Sequence, residues 1–397
     1  MKKILLGGTA LAAAAAMAAA TPAMAADSNV TSGLSIKLSG FVAFEAAAII
    51  DTDTRGNDRD YDFNSNARFQ WDIKNVTDSG LEYGGRIRMN NMNRKQNVTV
   101  DRTYVYVKGG FGTVSFGDQP STGPDFGYFF GPDTVLNSPG GYGDNLDGNY
   151  RYGGEDFFSL DPTYHSGLGN QTSIKYASPN IDGFIFGVSF TPVISASSAL
   201  SNGTTGQGDL TNEGQLYENV ISGGLGYENE FDGTSVKVRG TATYGNGIDH
   251  NFDLETYTAG AEVAFGGIDA SVVWVGTPSG FANGETNRDF NTFAVGLGYT
   301  WGDFVFGVGY GYTWADSGND LSGSGGDRLR DVKDNHLAGV TVAYQLAPGL
   351  RTYGEVIYEI QNFRQTLVTQ DDGSSEYERK NGSWSQTVLQ TGISVAF

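Results

Sequence analysis

The chain has 397 residues, a formal net charge of −20 and no cysteine. The missing thiols exclude disulfide frameworks, thiolate metal sites and cysteine nucleophiles, and the acidity argues against a nucleic-acid partner, because nucleic-acid binders are basic. Fifty-eight glycines and only ten prolines favour a fold of many strands and turns over a Pro-rich disordered chain.

The N-terminus reads as an export signal. Lys2 and Lys3 precede an apolar, Ala-rich stretch, which ends at the small-residue pattern Ala23-Met24-Ala25. This order is typical of a cleaved secretory signal at residues 1–25, whereas Pro22 and the short apolar stretch disfavour an N-terminal membrane anchor. We therefore expect residues 26–397 to be exported through the periplasm and to form a single domain.

The rest of the chain repeats one unit, in which two alternating runs flank a tight turn and a longer polar segment follows. In residues 304–314, for example, aromatic and apolar side chains alternate with Gly and Thr, which places the large side chains on one face of a strand. Seven turns predict seven hairpins, and one strand at each end brings the expected number of strands to sixteen. The predicted turns lie at 77–80, 109–112, 180–183, 230–233, 266–267, 301–303 and 347–349.

Short turns on one rim and long loops on the other are typical of outer-membrane barrels. The predicted loops lie near 51–61, 91–99, 119–170, 193–215, 245–255, 278–288, 315–335 and 363–383. A soluble β-sandwich would also alternate, but it does not need so many Tyr and Trp at strand ends. The sequence therefore predicts an all-β fold, a 16-stranded antiparallel transmembrane β-barrel. The last strand, which alternates up to the C-terminal Phe397, agrees with this prediction.

The segment 119–170 is much longer than an ordinary connection, and such connections are usually functional or disordered. It holds five of the ten prolines and many aromatic residues. Disordered segments are poor in aromatics, so we expect it to pack against the inner wall. The segment is thus the predicted pore-constricting loop, folded into the lumen.

Strand alternation also assigns side chains to the lumen. We predict that the basic side of a constriction is formed, at similar mid-barrel depth, by Lys37, Arg68, Arg86 and Arg88. Replacing Arg86 and Arg88 together by Ser should widen the constriction and raise cation selectivity but leave folding intact, because solvated lumen side chains stabilise little. Carboxylates of the long loop are the predicted acidic side. The loop acids are Asp125, Asp133, Asp144, Asp147, Glu155 and Asp156. In the alternative arrangement, each arginine pairs with a carboxylate on a neighbouring strand.

Other chemistry has little support in the sequence. The three histidines are far apart, and nothing clusters them with acids as an outer-membrane enzyme would require, so we expect no enzyme. We expect no cofactor either, and only a weak calcium site within one acidic loop. Its candidate ligands are Asp316, Asp320, Asp327 and Asp331.

Several segments resemble Gram-negative general porins, most closely the alphaproteobacterial porins of the Rhodobacter type. The stretch 102–119 resembles the fourth and fifth strands that lead into the pore-folding third loop, although many relatives carry Arg where Asp118 stands. Residues 34–41 and 77–84 resemble the opening strands, and residues 393–397 resemble the closing strand. The resemblance implies a homotrimer with one aqueous pore per subunit, narrowed by the third loop.

The expected function is passive diffusion of small hydrophilic solutes and ions across the outer membrane, with a weak preference for cations because the chain is acidic. Expected partners are membrane lipid and lipopolysaccharide, other copies of the chain and the solutes. Small residues such as Ala46 and Ala48 on the outer face of the first strand favour close packing of subunits. Two alternatives stay open: a substrate-specific channel with an internal site for sugars or anions, and a barrel that serves as adhesin or anchor.

Overall fold

The protein is a closed barrel of sixteen antiparallel strands, which confirms the predicted fold class and strand number. This computed structural model describes residues 33–52, 61–90, 99–127, 170–195, 215–248, 253–279, 290–315, 332–363, 366–369, 375–378 and 382–397. The predicted export signal lies outside these residues.

Sixteen long strands form the barrel, and the predicted turns and loops fall between them. They are β1 (Ser35–Thr52), β2 (Tyr61–Val76), β3 (Glu82–Asn90), β4 (Thr99–Gly109), β5 (Gly112–Pro120), β6 (Asn170–Ala177), β7 (Phe184–Ser195), β8 (Gln215–Phe231), β9 (Thr234–Gly247), β10 (Leu254–Phe265), β11 (Ile268–Ser279), β12 (Phe290–Trp301), β13 (Phe304–Ala315), β14 (Val332–Ala347), β15 (Leu350–Phe363) and β18 (Gly382–Ala396).

Two further strands and one helix lie in the loops. The strands β16 (Thr366–Thr369) and β17 (Ser375–Glu378) form a separate two-stranded sheet, which the sequence did not predict because runs of four residues are too short to show alternation. The helix α1 (Thr122–Gly127) begins the long connection after β5. Among the described residues, no helix is long and apolar enough to cross a membrane.

The tight turns have the backbone geometry that hairpins require. In two of them an Asp-Gly pair has positive φ at both residues, with Asp182 at 52°, Gly183 at 94°, Asp232 at 48° and Gly233 at 77°. Two positive φ angles define a turn whose twist matches that of the flanking strands. The Asp-Gly sequences therefore fix these hairpins locally.

The barrel closes where the last strand meets the first. Strand β18 pairs with β1 from Phe41↔Ala396 to Thr52↔Gln386. The C-terminal residue continues the pairing, since the amides of Gly40 and Phe397 each donate to the other residue's carbonyl oxygen over 3.0 Å. The ring of Phe397 also lies 5.6 Å from that of Phe69 on the outer face of β2. Closure leaves no unpaired sheet edge, as a membrane barrel requires.

The outer face of the barrel is apolar and exposed, and the inner face is largely polar. Ile36, Val105, Leu225 and Trp301 are each at least 60% exposed, while the alternate residues of the same strands point into the barrel. An exposed apolar belt of this extent is unfavourable in water but matches the hydrocarbon layer that surrounds a membrane barrel. This arrangement excludes the soluble β-sandwich.

Candidate functional site: the channel lumen

The four predicted basic residues lie on the inner face of β1, β2 and β3. Lys37 and Arg86 share one rung of the sheet, with Asp72 between them. Arg88 lies one rung further towards the loops, and Arg68 lies on the rung beyond it. Adjacent rungs on one face are two residues apart, about 7 Å. The four cations therefore span three successive rungs instead of meeting at a single depth.

The two arginines of β3 pair with carboxylates of the neighbouring strands, as the alternative arrangement expected. Arg86 Nε donates to Asp72 Oδ1 over 2.6 Å. Arg88 makes a bidentate pair with Asp101, with Nε donating to Oδ1 over 2.8 Å and Nη2 to Oδ2 over 2.5 Å. Carboxylates of the neighbouring strands therefore compensate both charges without any carboxylate from the long loop.

Arg88 corrects the expectation that the lumen arginines are solvated. Its side chain is only 9% exposed and that of Asp101 only 1% exposed, whereas Arg86 and Asp72 are 28% and 30% exposed. A buried ion pair cannot lose one partner without leaving an uncompensated buried charge. Arg88 is therefore part of the wall, and of these two arginines Arg86 is the one that faces the lumen water.

Arg68 has a different environment from the two paired arginines. Its Nε donates to Asn90 Oδ1 over 2.9 Å, and its guanidinium lies over the ring of Phe41, with 5.3 Å from Cζ to the ring centroid. An arginine over an aromatic face keeps its charge while its orientation is fixed. The pairing register places Phe41 directly opposite Arg68 across the sheet.

Sequence reasoning missed a further arginine of the basic side. The pairing of β3 with β4 shifts register between Arg88 and Met89, so Arg102 lies opposite Arg88 while Val100 lies opposite Met89. A bulge of this kind re-aims side chains, and here it turns both Asp101 and Arg102 into the barrel. Strict alternation from the exposed Val105 would have placed Arg102 inside. It would have placed Asp101 outside, so only the bulge brings Asp101 into the barrel.

Arg102 differs from its neighbours in its partners. Its Nε donates to Asn170 Oδ1 over 3.0 Å, and within the part of the chain that the structure describes it forms no ion pair with a carboxylate. It is partly exposed and stands directly across from Arg88, whose own charge is compensated by Asp101. Arg102 is therefore a basic group of the described lumen whose charge no ion pair compensates.

The first residues of the long connection lie against the inner wall. The Thr122 amide donates to Ser189 Oγ over 2.9 Å, and the Gly123 amide donates to Ser222 Oγ over 2.7 Å. Ser189 and Ser222 belong to the inner faces of β7 and β8, so α1 is docked inside the barrel. Residues 128–169 lie outside the described residues, and the constriction formed by the whole segment stays a prediction.

Of the predicted loop acids, only Asp125 is among the described residues. It forms an ion pair with Lys175 of β6, whose Nζ also donates to the Pro120 carbonyl over 3.0 Å. Asp125 therefore fixes the root of the connection to the wall and does not pair with the predicted arginines. The remaining predicted loop acids lie outside the described residues: Asp133, Asp144, Asp147, Glu155 and Asp156.

Glycines of the inner wall make room for α1, and this yields a testable prediction. A Cβ at Gly224 would lie 2.9 Å from Phe126 Cγ and 3.1 Å from Thr122 Cγ2, while a Cβ at Gly223 would have only one neighbour, at 4.0 Å. Gly224→Val should thus displace Phe126 and raise open-channel current noise, whereas Gly223→Val should not. Recordings from single channels in planar bilayers test this, and equal noise in both variants would contradict the docking role of Gly224.

Carboxylates also line the wall on the other side of β1. Glu45 accepts from the Tyr353 hydroxyl over 2.5 Å, and Glu355 accepts from the Thr341 hydroxyl over 2.8 Å. Glu359 accepts from both Asn335 and Gln386 over 3.0 Å. All three glutamates are at most 3% exposed. The described wall therefore carries acidic groups on β1 and β15 next to the basic groups of β2 to β4.

The structure describes little that bears on a metal. In the described ranges, no group of three or more histidines and acids could hold a metal ion. The calcium candidates Asp316, Asp320, Asp327 and Asp331 lie outside the described residues, so a loop-bound calcium stays a prediction.

A comparison with protein-family models decides the family. The model of Gram-negative porins matches residues 10–362. The chain belongs to the Gram-negative porin family. This porin is therefore an outer-membrane protein that crosses the membrane with many strands and forms a channel, and the expected compartment is confirmed. A search of curated protein sequences found no match.

Solved structures of outer-membrane proteins share the fold of this porin. An anion-selective porin from Comamonas acidovorans has a TM-score of 0.61 at 16% identity, covering 92% of this chain and 100% of the other. The outer-membrane channel DcaP of Acinetobacter baumannii gives 0.59 at 13%, covering 92% and 98%. OmpT of Vibrio cholerae in its trimer form gives 0.55 at 15%, covering 92% and 100%. At these identities the likeness shows the fold alone, and the Rhodobacter-type resemblance stays a prediction.

Proposed function

We propose that this porin is a water-filled channel for passive diffusion of small hydrophilic solutes and ions, with a weak preference for cations. The observation that carries the proposal is the charged inner face of the closed barrel. Partly exposed charged side chains lie there on β2, β3 and β6, namely Asp72, Arg86 and Lys175. Barrels of about sixteen strands are wide enough to enclose an aqueous channel.

The cation preference rests on the overall charge. The chain carries 45 acidic and 25 basic residues, and a surplus of one sign enriches counter-ions at a channel mouth. Of the cations named above, Arg86, Arg88 and Lys175 are each paired with a carboxylate. The basic side of the lumen therefore opposes cation entry less than the number of its arginines suggests.

A second candidate function is a channel with an internal site for anions. One observation favours it: Arg102 has no carboxylate ion-pair partner in the described lumen and faces Arg88 across the sheet. Because Asp101 already compensates Arg88, an anionic solute would bind at Arg102. Binding at such a site would show as conductance that saturates with one anion.

We also propose that the porin is a homotrimer. The proposal is supported by the fold likeness to a barrel described in trimer form and by a shallow depression on the outer face of β1, β2 and β18. Ala46, Ala48 and Thr391 lie in this depression, and Tyr61 and Phe63 border it. Small residues let two barrel walls approach closely.

Conductance in planar bilayers tests both proposals. Purified porin should give large ohmic conductance steps whose size grows in proportion to the KCl concentration. A trimer should close in three equal steps, one for each subunit. Saturation by a single anion would select the second candidate, and closures of the full step alone would contradict the trimer. A silent barrel would contradict the channel proposal and support a role as anchor or adhesin.

A further inference from the structure

Asp269 is a carboxylate of the lumen wall close to the short-turn rim of the barrel. It is the second residue of β11, directly after the turn at Gly266 and Gly267. Its neighbours along the strand, Ile268 and Ala270, are exposed on the outer face, so alternation directs Asp269 to the lumen. Asp269 is only 8% exposed, and its Oδ1 accepts no hydrogen bond from the residues that the structure describes.

The sheet register explains why this oxygen has no donor beside it. Asp269 pairs with Ala264 of β10 and with Gly298 of β12, and neither side chain carries a polar atom. A Cβ placed on Gly298 would lie 3.8 Å from Asp269 Cβ, with no heavy atom nearer, so the wall beside the carboxylate is bare. A buried acceptor without a donor is destabilising, and such a group in a native protein points to a bound water, ion or ligand.

The described charges around Asp269 leave one negative charge without a counter-ion. Glu262 of β10 lies one rung further from the turn, opposite Lys237 of β9, and Lys237 Nζ donates to Glu262 Oε1 over 2.6 Å. The next basic side chain of β9, Arg239, pairs with Glu228 of β8. Both of these cations are thus engaged by other carboxylates, and the position beside Asp269 favours a further cation.

A patch of wall without side chains extends from Asp269 across the next three strands. This glycine patch consists of Gly296, Gly298, Gly307, Gly309 and Gly339. Strands are about 4.8 Å apart and rungs about 7 Å apart, so the patch is about 10 Å wide and 7 Å high. Val273, Ala294 and Leu337, which are at most 1% exposed and belong to one apolar cluster, border it on the loop side. A short hydrocarbon stem can therefore approach the backbone closely there.

We propose that Asp269 and the glycine patch bind a small organic cation, with its ammonium or guanidinium group at Asp269 and its hydrocarbon stem on the patch. The cation supplies both a donor for Oδ1 and the missing positive charge, and hydrogen bonds between ionised groups are the strong ones. The inference rests on the proposed function, because a solute reaches Asp269 only through an open lumen. It adds the class of solute that the wall holds in passage.

Other solutes fit this position less well. An anion is repelled by Asp269 and Glu262, and a sugar leaves the negative charge of Asp269 uncompensated. A divalent metal ion needs six or more oxygen ligands when it is calcium, whereas the described residues contain no group of three or more histidines and acids that could hold a metal. The alkyl cation alone matches the charge, the free acceptor and the apolar border together.

Saturation-transfer NMR of the porin in detergent tests the inference, with n-butylammonium as the probe and tetramethylammonium as a cation of equal charge without N–H donors. The wild type should bind n-butylammonium saturably and more tightly than tetramethylammonium. Asp269→Asn removes the charge at nearly the same volume and should weaken n-butylammonium binding about tenfold, the loss of one charge-assisted hydrogen bond. Gly298→Val, which fills the wall beside the carboxylate, should also weaken it.

Glu82→Gln is the matched control, since it also removes one carboxylate close to the short-turn rim. Glu82 begins β3, the eighth strand from β11 in either direction around the barrel, and therefore lies on the opposite wall. Glu82 pairs with Lys74 over 2.5 Å. Its replacement should leave n-butylammonium binding unchanged.

Two outcomes would overturn the inference. Unchanged n-butylammonium binding in Asp269→Asn would leave water as the partner of Oδ1, and equal losses in Asp269→Asn and Glu82→Gln would report only the overall charge of the lumen. Conductance of the wild type in KCl separates this inference from the proposed function. Normal steps without n-butylammonium binding contradict the site alone, whereas a barrel without steps contradicts the channel.

Discussion

Replacing Arg88 by serine should lower the free energy of unfolding of the porin by about 3–5 kcal/mol, because it leaves Asp101 as a buried carboxylate without its cation. Both oxygens of Asp101 accept hydrogen bonds from Arg88. The other donor to this carboxylate is Asn90 Nδ2, over a long distance of 3.2 Å. One amide cannot compensate the charge. Urea titration of the refolded barrel in lipid vesicles, followed by tryptophan fluorescence, measures the change.

The double variant Arg88→Ser/Asp101→Ser is the control for this stability effect. Removing both charges should restore most of the lost free energy, since the cost lies in the unpaired charge and not in the missing contact. Arg86→Ser should cost only about 1 kcal/mol or less, because the partly exposed Arg86 and Asp72 are screened by lumen water. Equal losses in the single and double variants would mean that Arg88 stabilises the wall through packing alone.

Arg102→Ser should give the largest shift in ion selectivity among the arginines of the basic side. A unit charge acts on an ion about 8 Å away with about 0.5 kcal/mol in the dielectric of water. The substitution removes a repulsion of about 0.5 kcal/mol for K⁺ and an attraction of the same size for Cl⁻. The permeability ratio of K⁺ to Cl⁻ should therefore rise about fivefold in dilute salt. Reversal potentials in a KCl gradient report the ratio.

A double substitution that leaves the net charge unchanged provides the comparison. Asp72→Ser/Arg86→Ser removes one acid and one base that already pair over 2.6 Å, so it should raise conductance by widening the lumen but leave the selectivity nearly unchanged. Repeating the Arg102→Ser measurement near 1 M salt should reduce its shift, because the Debye length falls from about 10 Å at 0.1 M to about 3 Å. A shift in the neutral pair variant as large as that in Arg102→Ser would place the selective charge elsewhere.

The sequence alone determined the sixteen barrel strands and, away from bulges, the side of each strand that faces the lipid. Side chains alternate with a period of two along a strand, so a run such as residues 304–314 defines both its conformation and its lipid-facing side. Turn chemistry is equally local, as the positive φ angles of Asp182 and Gly183 show. Because both signals lie within a few neighbouring residues, they can be read without knowledge of the fold.

Only the tertiary structure decided which groups meet. The bulge that turns Asp101 and Arg102 into the lumen depends on the pairing of β4 with β3, and the burial of the Arg88–Asp101 pair follows from it. The docking of Phe126 depends on glycines of β7 and β8 that lie far along the chain. Each of these features arises from cross-strand neighbours distant in sequence, so no local pattern of side chains encodes it.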